Sequence, residues 1–118
     1  MRVQIYSAIP FQKNDKMSRV DKILEMMQSG GKDSFLQHAL AMEYIKIGQL
    51  ELALEQLIDL LNSNPDYVGS YYHLGKLYEK LNKSDLALKT YESGMDVAKR
   101  LKEQHAYNEL MSARDELL

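Results

Sequence analysis

Three histidines, His38, His73 and His105, are the side chains best suited to chemistry in this sequence. Imidazole is a common ligand for zinc and other transition metals. No two of them form a His-x-His or i, i+4 pair, and the nearest carboxylates, Glu43, Asp66 and Glu103, lack ligand spacing. A histidine metal site is therefore the most remote reading. Lys76 and Lys80 stand i, i+4 on one helical face and, with Lys83, form a solvated face or a positive strip that favours an acidic or C-terminal carboxylate group. Gly30-Gly31-Lys32-Asp33 lacks both the preceding strand and the spacing of a phosphate loop. There is no serine nucleophile elbow and no HExxH. Asp115-Glu116 falls at solvent-facing helix positions, where carboxylates are ordinarily unperturbed. The absence of Cys removes disulfides, thiolate zinc sites and cysteine nucleophiles. No active site is assigned, the expected function is non-catalytic, and no cofactor is implied.

These side chains must be positioned by a chain of 118 residues, with 45% hydrophobic and 27% charged residues, the balance of an ordinary globular protein. Fifteen basic side chains against 17 acidic ones leave a formal charge of -2, so no basic field exists to attract nucleic acid. No apolar run approaches the ~20 residues that cross a bilayer. The N-terminal segment is a poor secretory signal, and a cytoplasmic location is the default expectation. Residues 1–16 read as a flexible leader, with Met17 an alternative natural start. From Ser18 onward the apolar period is helical. Val20, Ile23, Leu24 and Met27 form a first stripe, capped by Ser18 and stopped at Gly30-Gly31. Leu36, Leu40, Tyr44 and Ile47 form a second, closed by Gly48. Ala53, Leu54, Leu57, Ile58, Leu60 and Leu61 form a third, which ends before Pro65. Tyr71, Leu74, Leu77, Tyr78 and Leu81 make a fourth, ended by Asn82. A fifth, capped by Ser84, holds Ala87, Leu88, Tyr91, Met95 and Ala98. Ala106, Leu110, Ala113 and Leu117 make the last. Six helices with short connections must pack as antiparallel neighbours.

Sliding the sequence by 34 residues superimposes Leu40 on Leu74, Tyr44 on Tyr78, Lys46 on Lys80, Leu52 on Leu86, Ala53 on Ala87 and Leu54 on Leu88. Gly48 falls on Asn82, Ala41 on Gly75 and Leu57 on Tyr91. The matches are expected on the buried faces of paired helices and at the turn between them. Leu40-Ala41-x-x-Tyr44-x-x-x-Gly48 followed by Ala53, Leu57 and Pro65, and Tyr71-x-x-Leu74-Gly75-x-x-Tyr78 followed by Asn82, Ala87 and Tyr91, resemble two tetratricopeptide repeats. The resemblance covers residues 34–67 and 68–101. Residues 17–30 then resemble the second helix of a preceding repeat, and residues 102–118 a solvating cap with Glu103, Gln104, Asn108, Glu109, Arg114, Asp115 and Glu116 facing water, all within one domain from 17 to 118. Gln37 stands where the second copy has Tyr71, Leu60 where it has Gly94, and Lys99 where the first copy has Pro65. Without that proline the second helix is expected to run on to about Leu101.

The resemblance implies an all-α fold, an α-α superhelix of antiparallel helix hairpins whose first helices line a concave groove. It implies a protein–protein interaction module that holds a peptide or partner helix. The family's ligand-facing pattern falls on Phe35, His38, Met42, Ile45 and Lys46 in the first repeat, and on Gly69, Tyr72, Lys76, Glu79 and Lys80 in the second. Tyr107 and Leu110 are additions from the cap. The family's carboxylate clamp uses Lys, Arg and Asn, but the corresponding places hold His38, Met42 and His73. The expected partner is another protein or peptide, acidic or partly apolar, with neither nucleic acid nor membrane involved. A different class of reading is a self-assembling structural protein in which a second copy completes the half-repeat, giving a homodimer.

Overall fold

The computed structural model describes residues 18–31 and 33–118; the leader expected over residues 1–16 lies outside them. Six helices follow one another: α1 (Arg19–Gly30), α2 (Ser34–Lys46), α3 (Leu50–Ser63), α4 (Gly69–Lys80), α5 (Ser84–Arg100) and α6 (Gln104–Leu117). The described residues contain no strand. Local chemistry fixes most of the ends. The Ser18 hydroxyl accepts from the Asp21 backbone N–H at 3.0 Å, and the Asp33 carboxylate accepts from Phe35 and Leu36 at 2.8 and 3.3 Å, so α1 and α2 each begin on a side-chain cap. Ser84, expected as a cap, instead lies inside the first turn of α5; Lys83 holds the cap position and makes no side-chain cap bond.

Consecutive helices pack against each other, and the molecule extends 47 × 30 × 25 Å, longer in one direction as a stack of hairpins must be. The core has two parts. Ile23, Leu40, Ala41, Tyr44, Ala53, Leu57, Leu74 and Leu77 bury between α1 and α4. Tyr71, Ala87, Tyr91, Met95, Ala98, Leu110 and Ala113 bury between α4 and α6. Helix α4 serves both, giving Leu74 and Leu77 to one and Tyr71 to the other. Not every match of the 34-residue period lies inside. Leu52 and Leu86 are exposed, as is Ile58 of the third stripe.

Inside the α4–α5 hairpin the two helices interlock. A Cβ added to Gly75 would lie 2.2 Å from the ring of Tyr91, and one added to Gly94 would lie 2.6 Å from Cβ of Tyr71. Each helix thus lends a tyrosine to a glycine of the other. At the equivalent places of α2–α3 stand Ala41 with Leu57 and Gln37 with Leu60. Buried Gln37 donates to Asp59 at 2.8 Å and to Gln56 at 3.2 Å, which satisfies its amide.

Three helices end in the same way. The N–H groups of Gln49, Lys83 and Glu103 each bond the carbonyl five residues earlier at 2.8 Å, with Gly48, Asn82 and Lys102 at φ 82°, 61° and 61°. Only Lys102 is a residue with no ease in that region. Without a proline at position 99, α5 has 17 residues where α3 has 14. The hairpins are tied by Asp66 and Arg100, paired at 2.5 Å, and by the Tyr71 hydroxyl donating to the Pro65 carbonyl at 2.7 Å. Arg19 and Glu43 join α1 to α2 at 2.9 Å.

Gly75→Ala should destabilise the chain by about 1–3 kcal/mol, because the ring it strikes is itself fully buried. Lys102→Gly should stabilise it by about 0.5–1 kcal/mol by relieving the left-handed backbone. Thermal unfolding followed by circular dichroism checks both, with the two melting temperatures moving in opposite directions from wild type.

Candidate functional site

Two neighbouring seams run between the first helices. In the seam of α2 and α4, His38 lies against Tyr67, Ser70 and His73. Its Nδ1 shares a hydrogen bond with the Ser70 hydroxyl at 2.7 Å, and the two imidazole centroids are 5.3 Å apart with rings at 69°. Burial holds both imidazoles below the ordinary histidine value. The neighbouring His73 lowers His38 further, while Glu109 of α6 partly offsets the effect on His73. Both are therefore neutral where free histidine begins to protonate.

The seam of α4 and α6 opens into a cleft of about 400 Å³, lined by Tyr72 and Lys76 on one side and His105, Glu109, Ser112 and Glu116 on the other. The Lys76 ammonium lies 5.7 Å from the Tyr72 ring centroid, 3.8 Å from Glu79 and 3.9 Å from Glu116. Behind it, the Tyr91 hydroxyl donates to the Glu79 carboxylate, which joins the groove wall to the α4–α5 interlock. Burial and this carboxylate push the Tyr91 phenol far above the ordinary tyrosine value, so it stays a donor. A second cleft of about 320 Å³, between α3, α4 and α5, is bordered by Ile58, Tyr78, Leu86 and Lys89 and gathers none of the residues expected in the groove.

The residues expected to face a ligand are placed unequally. Phe35 is 68% exposed at the start of α2. Lys46 and Lys80 are exposed, and Gly69 begins α4. Met42 and Ile45 are half-buried and pack against the first core, which leaves them less free than an open apolar surface. His38 is committed to the Ser70 bond. Tyr72, Lys76 and Glu79 come together, but not as a positive strip: two carboxylates surround Lys76, and the basis for an acidic partner is lost there. Leu110 is 1% exposed and sits against Gly94 inside the second core, and Tyr107 is half-buried beside it, so neither joins the groove.

Glu109 and Glu116, expected to face water, are exposed, and they also line the cleft. The reason is a change of register. Helix α6 buries Leu110 and Ala113, 36 residues after the Leu74 and Leu77 of α4, whereas α4 itself follows α2 by 34. That offset puts Glu109 in the place of His73. The signal available was the missing proline at position 99. His105 lines the cleft apart from the other two histidines, and among the described residues no group of three or more His, Asp or Glu could hold a metal.

Residues 42–82 match a family model for the TPR repeat, and residues 68–100 match one for the tetratricopeptide repeat. A tetratricopeptide repeat domain protein from Salinibacter ruber, solved in solution, is 42% identical over 73% of this chain and 87% of that one, with a TM-score of 0.71. The chain belongs to the tetratricopeptide repeat family. A crystal structure of the Salinibacter domain gives 42% identity over 73% and 96% of the two chains, with a TM-score of 0.70. A protein from Bordetella parapertussis, 24% identical over 86% and 89%, shares the fold at a TM-score of 0.76. No curated protein matches the chain. No helix among the described residues is long and apolar enough to cross a membrane.

The neutral histidine pair makes the stability of these repeats depend on pH. Both values are lowered in the folded state, so the unfolded chain binds protons first as the pH falls through about 6.5. Stability contributed by the pair is complete above that value and declines below it, until the folded histidines titrate as well. The melting temperature should fall between pH 7.5 and 5.5, and the His38→Gln, His73→Gln double variant should show a smaller fall over the same interval.

Proposed function

We propose that this chain is a non-catalytic interaction module that holds a partner polypeptide along its first helices, α2, α4 and α6. Tetratricopeptide repeats generally mediate protein–protein interaction, and what supports this reading here is the open cleft beside Tyr72. Tyr72 presents a large ring with few rotatable bonds, the kind of side chain that anchors interfaces. Phe35 adds exposed aromatic area at the start of α2. The partner segment is partly apolar and extended or helical, because a groove between helices accepts either. No cofactor takes part. Lys46 and Lys80 at the groove's margin act on orientation and on-rate more than on affinity.

Affinity capture from the source cells, followed by measurement with the purified partner, tests the proposal. Tyr72→Ala should weaken that binding at least about tenfold, the loss typical of an interface anchor, with helix content by circular dichroism unchanged. Phe35→Ala, at a side chain that touches solvent over most of its surface, should weaken it less. A partner that binds the Tyr72 variant as tightly as the wild-type chain refutes the groove as the binding surface.

A further inference from the structure

We infer that the α4–α6 end of the groove accepts a cationic side chain, so that the partner segment carries a lysine or arginine beside its apolar anchors. The inference rests on the groove-binding reading above and names the chemistry of the occupant. The cleft already shows how it treats an ammonium. Lys76 Nζ stands over the face of Tyr72, between carboxylate oxygens of Glu79 and Glu116, which is the set of contacts a lysine or arginine seeks in an aromatic and acidic site. That internal ammonium does not balance the charge around it. Among the residues that line the cleft, Glu109 and Glu116 set two carboxylates against Lys76; Glu79 adds a third from outside the lining, its carboxylate also accepting from the Tyr91 hydroxyl, and His105 is the other ionisable side chain of the lining. His73 favours its neutral form, and exposed Lys80 does not line the cleft.

Two further features act in the same direction. Glu79 and Glu116 each lie one residue before the end of their helix, α4 at Lys80 and α6 at Leu117, so the negative ends of both helix dipoles lie beside the carboxylates. The pairing of Lys76 with Glu116 is long, at 3.9 Å, and Glu116 is 76% exposed; such a pair is worth little and yields readily to an incoming cation. Glu109 makes no ion pair among the described residues and faces the same cleft from the second turn of α6. An acidic segment would meet the lining carboxylates Glu109 and Glu116 and two helix C-termini. A basic one meets complementary charge and an aromatic face.

Three synthetic peptides test this, each with the same 12-residue apolar frame and with Lys, Gln or Glu at its polar positions. Each is titrated into the full ¹⁵N-labelled chain, with amide shifts of α4 and α6 as the readout. At low salt the lysine peptide should bind about tenfold more tightly than the glutamate peptide, and the advantage should shrink in high salt as screening sets in. In the Glu109→Gln, Glu116→Gln double variant, altered only at exposed positions, the advantage should fall to about twofold or less, because the lysine peptide loses more affinity than the glutamine peptide does. Tyr72→Ala should weaken all three. If the glutamine peptide shifts α4 and α6 but the lysine and glutamate peptides bind alike, or the double variant keeps the full advantage, the cationic inference is overturned and the groove reading stands. If none of the peptides shifts α4 or α6, the cationic inference is overturned, and the groove reading is decided separately by Tyr72→Ala against the captured partner.

Discussion

The contact on which the rest depends is the reciprocal seating of Tyr91 over Gly75 and Tyr71 against Gly94. A helix surface with a glycine has a notch one side chain wide, and a facing tyrosine that fills it draws the two backbones together without leaving a void. Because the exchange is reciprocal, the register of α4 against α5 is fixed at two points, and neither helix can slide by one turn without driving a ring into a Cβ. Tyr91 then does something a leucine could not: its hydroxyl emerges on the far side and donates to Glu79. The same side chain that sets the hairpin therefore sets a carboxylate on the groove wall.

The two hairpins fill their interfaces by different allocations of volume. In α4–α5 the pairs are the largest and smallest residues available; in α2–α3 they are of middling size, Ala41 with Leu57 and Gln37 with Leu60. The cost of the second arrangement is a buried amide, and it is met by the Gln56 and Asp59 side chains. Neither glycine can be read as flexibility. Both are helical and buried, and what selects them is the ring opposite rather than the backbone angle.

Much of this was legible in the sequence. The 34-residue period, the small residues at positions 41, 53, 75 and 87, and the turn residues Gly48 and Asn82 report the hairpins directly, because each is a choice that only close packing or a left-handed backbone rewards. The last helix was legible as a helix but not in its register. Extension of α5 past the point where Pro65 stops α3 was readable from Lys99, yet the turn that follows is made by Lys102, a residue type that gives no sign of taking a left-handed conformation. Once that turn is made, the 36-residue offset follows, and with it the change of Leu110 from groove to core and of Glu109 from open water to the cleft. Charge in the site was illegible for the same reason. Lys76 and Lys80 are neighbours along the helix, but the carboxylate of Glu116 arrives from a helix whose rotation the period alone did not give.

The two seams of the groove consequently differ in what water does to them. Between α2 and α4 the polar groups are turned on one another, His38 on Ser70 and His73, and the imidazoles are held neutral; a ligand there gains contact area but little electrostatic energy. Between α4 and α6 the seam is open and its charges are solvated, so each is weakly held at rest and becomes stronger only as a partner displaces the water around it. Apolar contact must come first for that reason. Covering the Tyr72 ring excludes the water that screens Glu79, Glu109 and Glu116, and only then does the sign of the partner's charge weigh heavily. In the mode of binding proposed above, affinity is set by the ring, and discrimination between partners by the carboxylates that the shifted register of α6 brings alongside it.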